Sequence, residues 1–161
     1  MKREHILASL WMGLVTAFIS FGWSIYTLWM TMEAVSLRHP EATEYLAFVG
    51  SIILVVIGIA FTVMAIIALV KSRKNEEYFA NKKGFIIALL VLEAILVVAA
   101  LFCSIYSITV LAASAPEALM VMGGLYLTHV FAFATYTTSF VLTLLSVIKA
   151  NKKAEIEVVE E

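Results

Sequence analysis

A single carboxylate in the middle of a long apolar stretch is the residue of this sequence best suited to chemistry. Glu93 lies nine residues after Gly84, where an apolar run begins. In a membrane helix it would therefore sit roughly 13–14 Å from the inner edge of the bilayer core. An ionised side chain at that depth costs at least about 2–3 kcal/mol, and no lysine or arginine falls at the same depth. We expect Glu93 to be mostly protonated and to donate a hydrogen bond to a hydroxyl or carbonyl group.

Three hydroxyl side chains are the expected neighbours of Glu93. Thr16, Thr62 and Ser139 each lie about 9–11 residues from the inner end of their own apolar run, and helical rise then places them at the depth of Glu93. Two interpretations remain open. Glu93 is either a neutral residue that holds helices together or, if water reaches it, a site that exchanges a proton or binds a cation.

His129 is the histidine that lies inside an apolar run. It lies about twenty residues before Lys149, which predicts a position near the outer interface. Haem in a helical bundle usually requires two facing histidines, but His5 falls at the inner surface and His39 in a loop. We interpret His129 as an interfacial hydrogen-bonding residue and expect no haem.

Other reactive residue types are scarce. The chain has one cysteine, Cys103, and no aspartate. It therefore lacks the cysteine pairs of quinone-linked disulfide-forming enzymes and the two aspartates of lipoprotein signal peptidases, and its first outer loop lacks the cysteines of claudin-like proteins. We predict no catalytic residues, no metal site and no cofactor, and hence a protein that is not an enzyme.

The composition indicates whether these residues lie in a soluble domain or within a membrane. Of 161 residues, 63% are hydrophobic and 14% are charged, against about 45–50% and about 25% in soluble domains. A soluble fold of this length could not bury so much apolar surface. The net charge of −1 offers no field to attract nucleic acid. The composition predicts a polytopic integral membrane protein.

Four uncharged or nearly uncharged stretches are long enough to cross a bilayer as helices. They are residues 6–32, 46–70, 84–111 and 118–148. The short connections between them predict antiparallel neighbours. We therefore expect an all-α fold, a transmembrane four-helix bundle of two helical hairpins within a single domain over residues 1–149. A short acidic tail over residues 150–161 is expected to be a frayed or partly disordered cytoplasmic end.

The distribution of basic residues predicts the orientation. Lys2 and Arg3 precede the first span, five basic residues lie between Lys71 and Lys83, and three more follow the fourth span, whereas only Arg38 lies on the other side. By the positive-inside rule, both termini and the middle loop are cytoplasmic. From its size and compactness we expect the protein in the bacterial cytoplasmic (plasma) membrane.

The two outer loops each carry a proline and a glutamate near the start of a helix. Pro40 suits a first helical turn, and Glu41 and Glu44 favour the positive end of the helix dipole. The sequence from Ser114 to Glu117 has the spacing of a capping box, with a hydroxyl and a carboxylate three residues apart.

Small and hydroxyl-bearing residues form a stripe at helical spacing in every span. The stripe of the first span is Ser9, Gly13, Thr16, Ser20, Ser24, Thr27 and Thr31, and that of the fourth is Thr128, Ala132, Thr135, Ser139, Thr143 and Ser146. Such stripes pack helices closely in lipid, and the same hydroxyls could line a polar pathway.

Two functional expectations follow. The first is a non-enzymatic membrane protein, a structural, accessory or regulatory subunit that packs against other membrane helices in a homo-oligomer or with a partner membrane protein. The alternative is a small homo-oligomeric transporter or channel in which Glu93 is an intramembrane proton or cation site. Only the lipid bilayer and other membrane helices are expected as partners, and no nucleic acid.

Overall fold

A computed structural model of the protein describes residues 3–37, 41–75, 78–79 and 82–159, with the side chains of these ranges except at position 37 and positions 150–159. It contains four long helices: α1 (Arg3–Leu37), α2 (Ala42–Lys74), α3 (Lys83–Ala113) and α4 (Leu119–Val159). A 3₁₀ turn over Pro116–Ala118 precedes α4. The expectations for Lys2, Arg38, His39 and Pro40 lie outside the described residues.

All four helices are long and apolar enough to cross a membrane. Each predicted span falls within one helix, except that Ala118 ends the 3₁₀ turn before α4, and the described residues contain no strand. The all-helical fold and the four spans are therefore confirmed. Large apolar side chains cover the outside of the bundle, among them Phe18, Val91 and Met120, as expected for surfaces that face lipid.

The helices follow one another around the bundle in chain order. The main packing contacts join α1 to α2, α2 to α3, α3 to α4, and α4 back to α1. Helices α1 and α3 therefore lie diagonally opposite each other. Side chains that connect these two helices must cross the centre of the bundle.

Gly13 and Gly50 lie where helices approach each other most closely. A Cβ atom at Gly13 of α1 would overlap the ring of Phe61 on α2, which is fully buried. A Cβ atom at Gly50 of α2 would lie 3.0 Å from the carbonyl oxygen of Ala99 and 3.2 Å from Cys103 Sγ on α3. Both glycines admit a neighbouring side chain or backbone where alanine would not fit without a shift.

The fourth helix is longer than expected. It continues to Val159, so the segment from Ala150 to Val159 is helical. The physical reason lies in its composition: this segment contains alanine, lysine and glutamate, which favour helix, and neither glycine nor proline to end it. That this end of the chain is frayed stays a prediction.

The ends of the two outer loops differ from each other. At the start of α2 the backbone N–H of Glu41 donates to Glu44 Oε2 at 3.0 Å, a capping arrangement of two glutamates. The capping box predicted at Ser114 is wrong. Ser114 is the C-terminal cap of α3, and its hydroxyl donates to the Val110 carbonyl at 2.6 Å. This carbonyl lies in the last turn of the helix, where carbonyl groups lack helical partners. Pro116 occupies the first turn of the 3₁₀ segment.

Candidate functional site: a buried carboxylate–hydroxyl cluster

Glu93 lies inside the bundle with no exposed surface. Its Oε1 atom accepts hydrogen bonds from two different helices. Ser9 Oγ of α1 donates at 2.6 Å, and Ser139 Oγ of α4 donates at 2.7 Å. The carboxyl group therefore joins α3 both to its neighbour α4 and to the diagonally opposite α1.

Further hydroxyl contacts surround this carboxyl group. Ser9 Oγ lies 2.8 Å from Ser139 Oγ and 2.8 Å from Thr143 Oγ1, and Ser139 Oγ lies 3.0 Å from the Ser9 carbonyl oxygen. Ser9, Ser139 and Thr143 are fully buried. We refer to Glu93, Ser9, Ser139 and Thr143 as the Glu93 cluster.

One atom of the cluster is without a partner. Glu93 Oε2 is buried, and no hydrogen-bond partner for it is found among the described residues. If Glu93 is ionised, Oε2 is an acceptor that receives no proton. If Glu93 is neutral and Oε1 accepts from both serines, the carboxylic proton resides on Oε2 and is a donor without an acceptor. In both protonation states the cluster is short of one partner, a cost of about 1–3 kcal/mol unless another group meets it.

Of the three hydroxyls expected near Glu93, Ser139 contacts it and the other two hydroxyls lie elsewhere. Thr16 Oγ1 lies 2.8 Å from the Met12 carbonyl oxygen and 2.8 Å from Thr135 Oγ1, in the next layer of the α1–α4 interface. Thr62 is half-buried and lines a groove on the outside of α2. Residues at a similar depth in the membrane therefore do not all face the centre of the bundle.

Ser9 and Thr143 were not singled out as neighbours of Glu93 from the sequence, although both belong to the predicted stripes. Side chains on a helix tilt towards its N-terminus. The long Glu93 side chain on α3 therefore reaches back towards Lys83, to the level of Ser9, six residues into α1. The spacing of Ser139 and Thr143, four residues apart on one face of α4, was the signal that could have placed Thr143 in the cluster.

His129 is fully buried between the helices. Its Nδ1 atom lies 2.6 Å from Ser107 Oγ, and Ser107 Oγ donates to the Cys103 carbonyl at 2.6 Å. Because a hydroxyl has one proton to donate, we assign the imidazole proton to Nδ1. Nε2 is then an acceptor, and it has no partner among the described residues. Two buried α1 hydroxyls, those of Ser24 and Thr27, are likewise unpartnered there.

A concavity lies on the lipid-facing surface of the bundle. A groove of about 690 Å³ runs between α1 and α2 on the face that would meet lipid. Phe18, which is 88% exposed, stands at its edge. Gly58 and Thr62 of α2 line it together with aliphatic side chains, and a Cβ atom at Gly58 would meet nothing within 4 Å.

No three His, Cys, Asp or Glu side chains come together within the described part of the chain as a transition-metal site would require. Compared with models of known families, with curated proteins and with solved structures, the chain matches none of them. Its function must therefore be argued from the Glu93 cluster, from the His129–Ser107 pair and from the α1–α2 groove.

Proposed function

We propose that this integral membrane protein is a non-enzymatic structural, accessory or regulatory subunit that packs against other membrane helices. The observation that carries the proposal is the α1–α2 groove. It is a lipid-facing concavity with a glycine in its wall and a projecting aromatic ring at its edge.

Gly58 is the informative residue of that groove. Glycine in a helix is about 1 kcal/mol less favourable than alanine in peptides, so a helical glycine usually has a packing reason. Gly13 and Gly50 have one within this chain, whereas the space beside Gly58 is open, as it is beside Gly22, Gly84 and Gly123. Of these four glycines only Gly58 lines the groove. Gly58 and Thr62 are four residues apart, the small-xxx-small spacing at which membrane helices approach each other closely. A helix from a second copy or from another membrane protein would use this space.

The closed interior also supports a packing role. The Glu93 cluster is buried, and many other stripe hydroxyls donate to the carbonyl four residues earlier in their own helix, as Ser20 and Thr31 do. Such hydroxyls have a hydrogen-bond partner within their own helix and allow neighbouring helices to pack closely.

Site-specific photo-crosslinking in the native membrane tests this proposal. A photoreactive amino acid at Ile59, in the groove, is expected to give one discrete protein adduct. The matched control is Val91 of α3, which is exposed to a similar extent, 53% against 51%. A protein adduct at Ile59 and none at Val91 supports the proposal. Lipid adducts alone at both positions would overturn it.

A second candidate function is favoured by the unpartnered Oε2 atom of Glu93. A small homo-oligomeric transporter or channel would use Glu93 as its proton or cation site, with the stripe hydroxyls of α1 and α4 along the pathway. Purified protein in liposomes, loaded with a proton- or cation-sensitive dye, tests this candidate. Flux in the wild type that is lost in Glu93→Gln supports transport, and equal flux in wild type and empty liposomes rejects it.

The proposed location is the bacterial cytoplasmic membrane, with both termini and the middle loop in the cytoplasm. The placement of basic residues supports this orientation.

A further inference from the structure

We infer that the Glu93 cluster is a binding site for one dehydrated monovalent cation of the sodium class. This site uses the same residues as the transport candidate, but cation binding at Glu93 does not require that the protein move ions. It is also independent of what packs against the α1–α2 groove.

The chemistry of the cluster is that of a hard-cation site. All of its side-chain polar atoms are oxygens: two from the Glu93 carboxylate and one each from Ser9, Ser139 and Thr143. The Ser9 carbonyl oxygen lies 3.0 Å from Ser139 Oγ. Hard cations prefer carboxylate, carbonyl and hydroxyl oxygens, whereas transition metals favour the nitrogen and sulfur ligands that this cluster lacks.

The charge of the cluster favours a monovalent cation over a divalent one. Glu93, which we expect to be protonated when no ion is bound, supplies one negative charge when the cation replaces its proton. No basic side chain forms an ion pair with it in the described part of the chain. The side chains that surround it from α1 and α4 are neutral hydroxyls. A monovalent cation would make the site neutral, whereas a divalent cation would leave an uncompensated charge in a low-dielectric interior, which is strongly unfavourable.

The unpartnered Oε2 atom indicates that the cluster binds a ligand and does not only hold the helices together by hydrogen bonds. The residue that carries it is fully buried, and neither protonation state of Glu93 satisfies it with the surrounding groups. A cation coordinated by the carboxylate satisfies Oε2 directly. For the hydroxyl oxygens to act as ligands, their 2.6–2.8 Å hydrogen bonds with Glu93 Oε1 and with one another would open. Their protons would turn towards helix carbonyls, as Ser146 does towards Leu142, and their lone pairs would face the cation.

The site lies near the end of the bundle from which a cation would enter. Ser9 is six residues from the start of α1, and the hydroxyl stripe of α4 continues past Thr143 to Ser146 in the same direction. The α1–α4 seam is therefore the expected entry.

Thermal unfolding of the full-length protein in detergent tests the inference. The unfolding temperature is measured in NaCl, KCl and choline chloride at equal ionic strength. A site that binds only the folded state should raise it saturably with NaCl, by roughly 3–5 °C at ten times the dissociation constant for a chain of this size. Choline is too large for the cluster and should produce no such rise.

Variants separate the cluster from general salt effects. Ser139→Ala removes one ligand while Glu93 remains, and should increase the sodium concentration at half-maximal shift at least several-fold. Ser104→Ala is the matched control, because Ser104 is a buried serine of α3 whose hydroxyl donates to the Ala100 carbonyl at 2.7 Å. It should retain the wild-type sodium response.

A direct binding measurement completes the test. Equilibrium dialysis with radioactive sodium should find one ion per wild-type chain and none in Glu93→Gln. If Glu93→Gln does not fold, the weakened binding of Ser139→Ala supplies the same comparison. Equal unfolding temperatures of the wild type in sodium and choline, or no bound sodium at saturation, would overturn the inference. Bound sodium without flux in liposomes would support the site and reject only the transport candidate.

Discussion

Ser9 of α1 donates a 2.6 Å hydrogen bond to Glu93 of α3 across the diagonal of the bundle, although the two residues are 84 positions apart in the chain. Because α1 and α3 are not adjacent in the ring of helices, this bond passes through its centre. Ser139 of α4 bonds the same oxygen atom. A single carboxyl group thus fixes the relative rotation of three helices.

The diagonal bond predicts that Ser9 contributes to stability beyond its size. Ser9→Ala removes the contacts to Glu93, Ser139 and Thr143. Hydrogen bonds between membrane helices average about 0.6 kcal/mol and reach about 1.7 kcal/mol, so we expect a loss of roughly 1–2 kcal/mol. Reversible unfolding in mixed detergent micelles measures it.

Ser104→Ala serves as the control, because it removes a hydroxyl bonded within its own helix. It should lower the free energy of unfolding by less than Ser9→Ala does, because a hydroxyl that bonds back to its own helix adds little to helix stability. Equal losses in Ser9→Ala and Ser104→Ala would show that the diagonal bond adds nothing to stability.

The close contact of α1 with α2 predicts a strong effect of one methyl group. Gly13→Ala places a Cβ atom into the ring of Phe61, and overpacking of this kind costs about 1–3 kcal/mol. Gly22→Ala, on the same helix, meets nothing within 4 Å and should be neutral or stabilising by up to about 1 kcal/mol. Thermal unfolding of the two variants side by side gives the comparison, and a stable Gly13→Ala would contradict the packing described for Phe61.

The proposed orientation predicts which helix ends react from outside an intact cell. Ser36→Cys, at the outer end of α1, should be labelled by a membrane-impermeant maleimide, whereas Lys74→Cys, at the inner end of α2, should be labelled only after permeabilisation. Both positions are exposed, and the natural Cys103 is fully buried and should remain unlabelled in each folded variant. The reverse labelling pattern would contradict cytoplasmic termini.

The helices were predictable from the sequence because composition alone limits a chain this apolar to membrane spans. The partner of Glu93 on α4 was predictable because Ser139 lies both on a stripe and at the right depth. Thr62 has the same depth but lies on the outside of α2, because residue counting measures position along a helix and not rotation about it. Ser9 was missed for a related reason, since the tilt of the Glu93 side chain lowers its carboxyl group towards Lys83. The unpartnered state of Oε2 depends on contacts among three helices, which no single segment of sequence displays.

The proposed packing role is tested most directly by the mass of the intact protein after gentle extraction from its membrane. Native mass spectrometry should show a stoichiometric complex, with a second copy or a foreign chain. Gly58→Leu, which fills the groove, should lose that partner. Gly123→Leu should keep it, because Gly123 is also a helical glycine beside open space but lies on α4. A wild-type protein that is monomeric and free of other chains, or a Gly58→Leu complex of unchanged mass, would contradict the account.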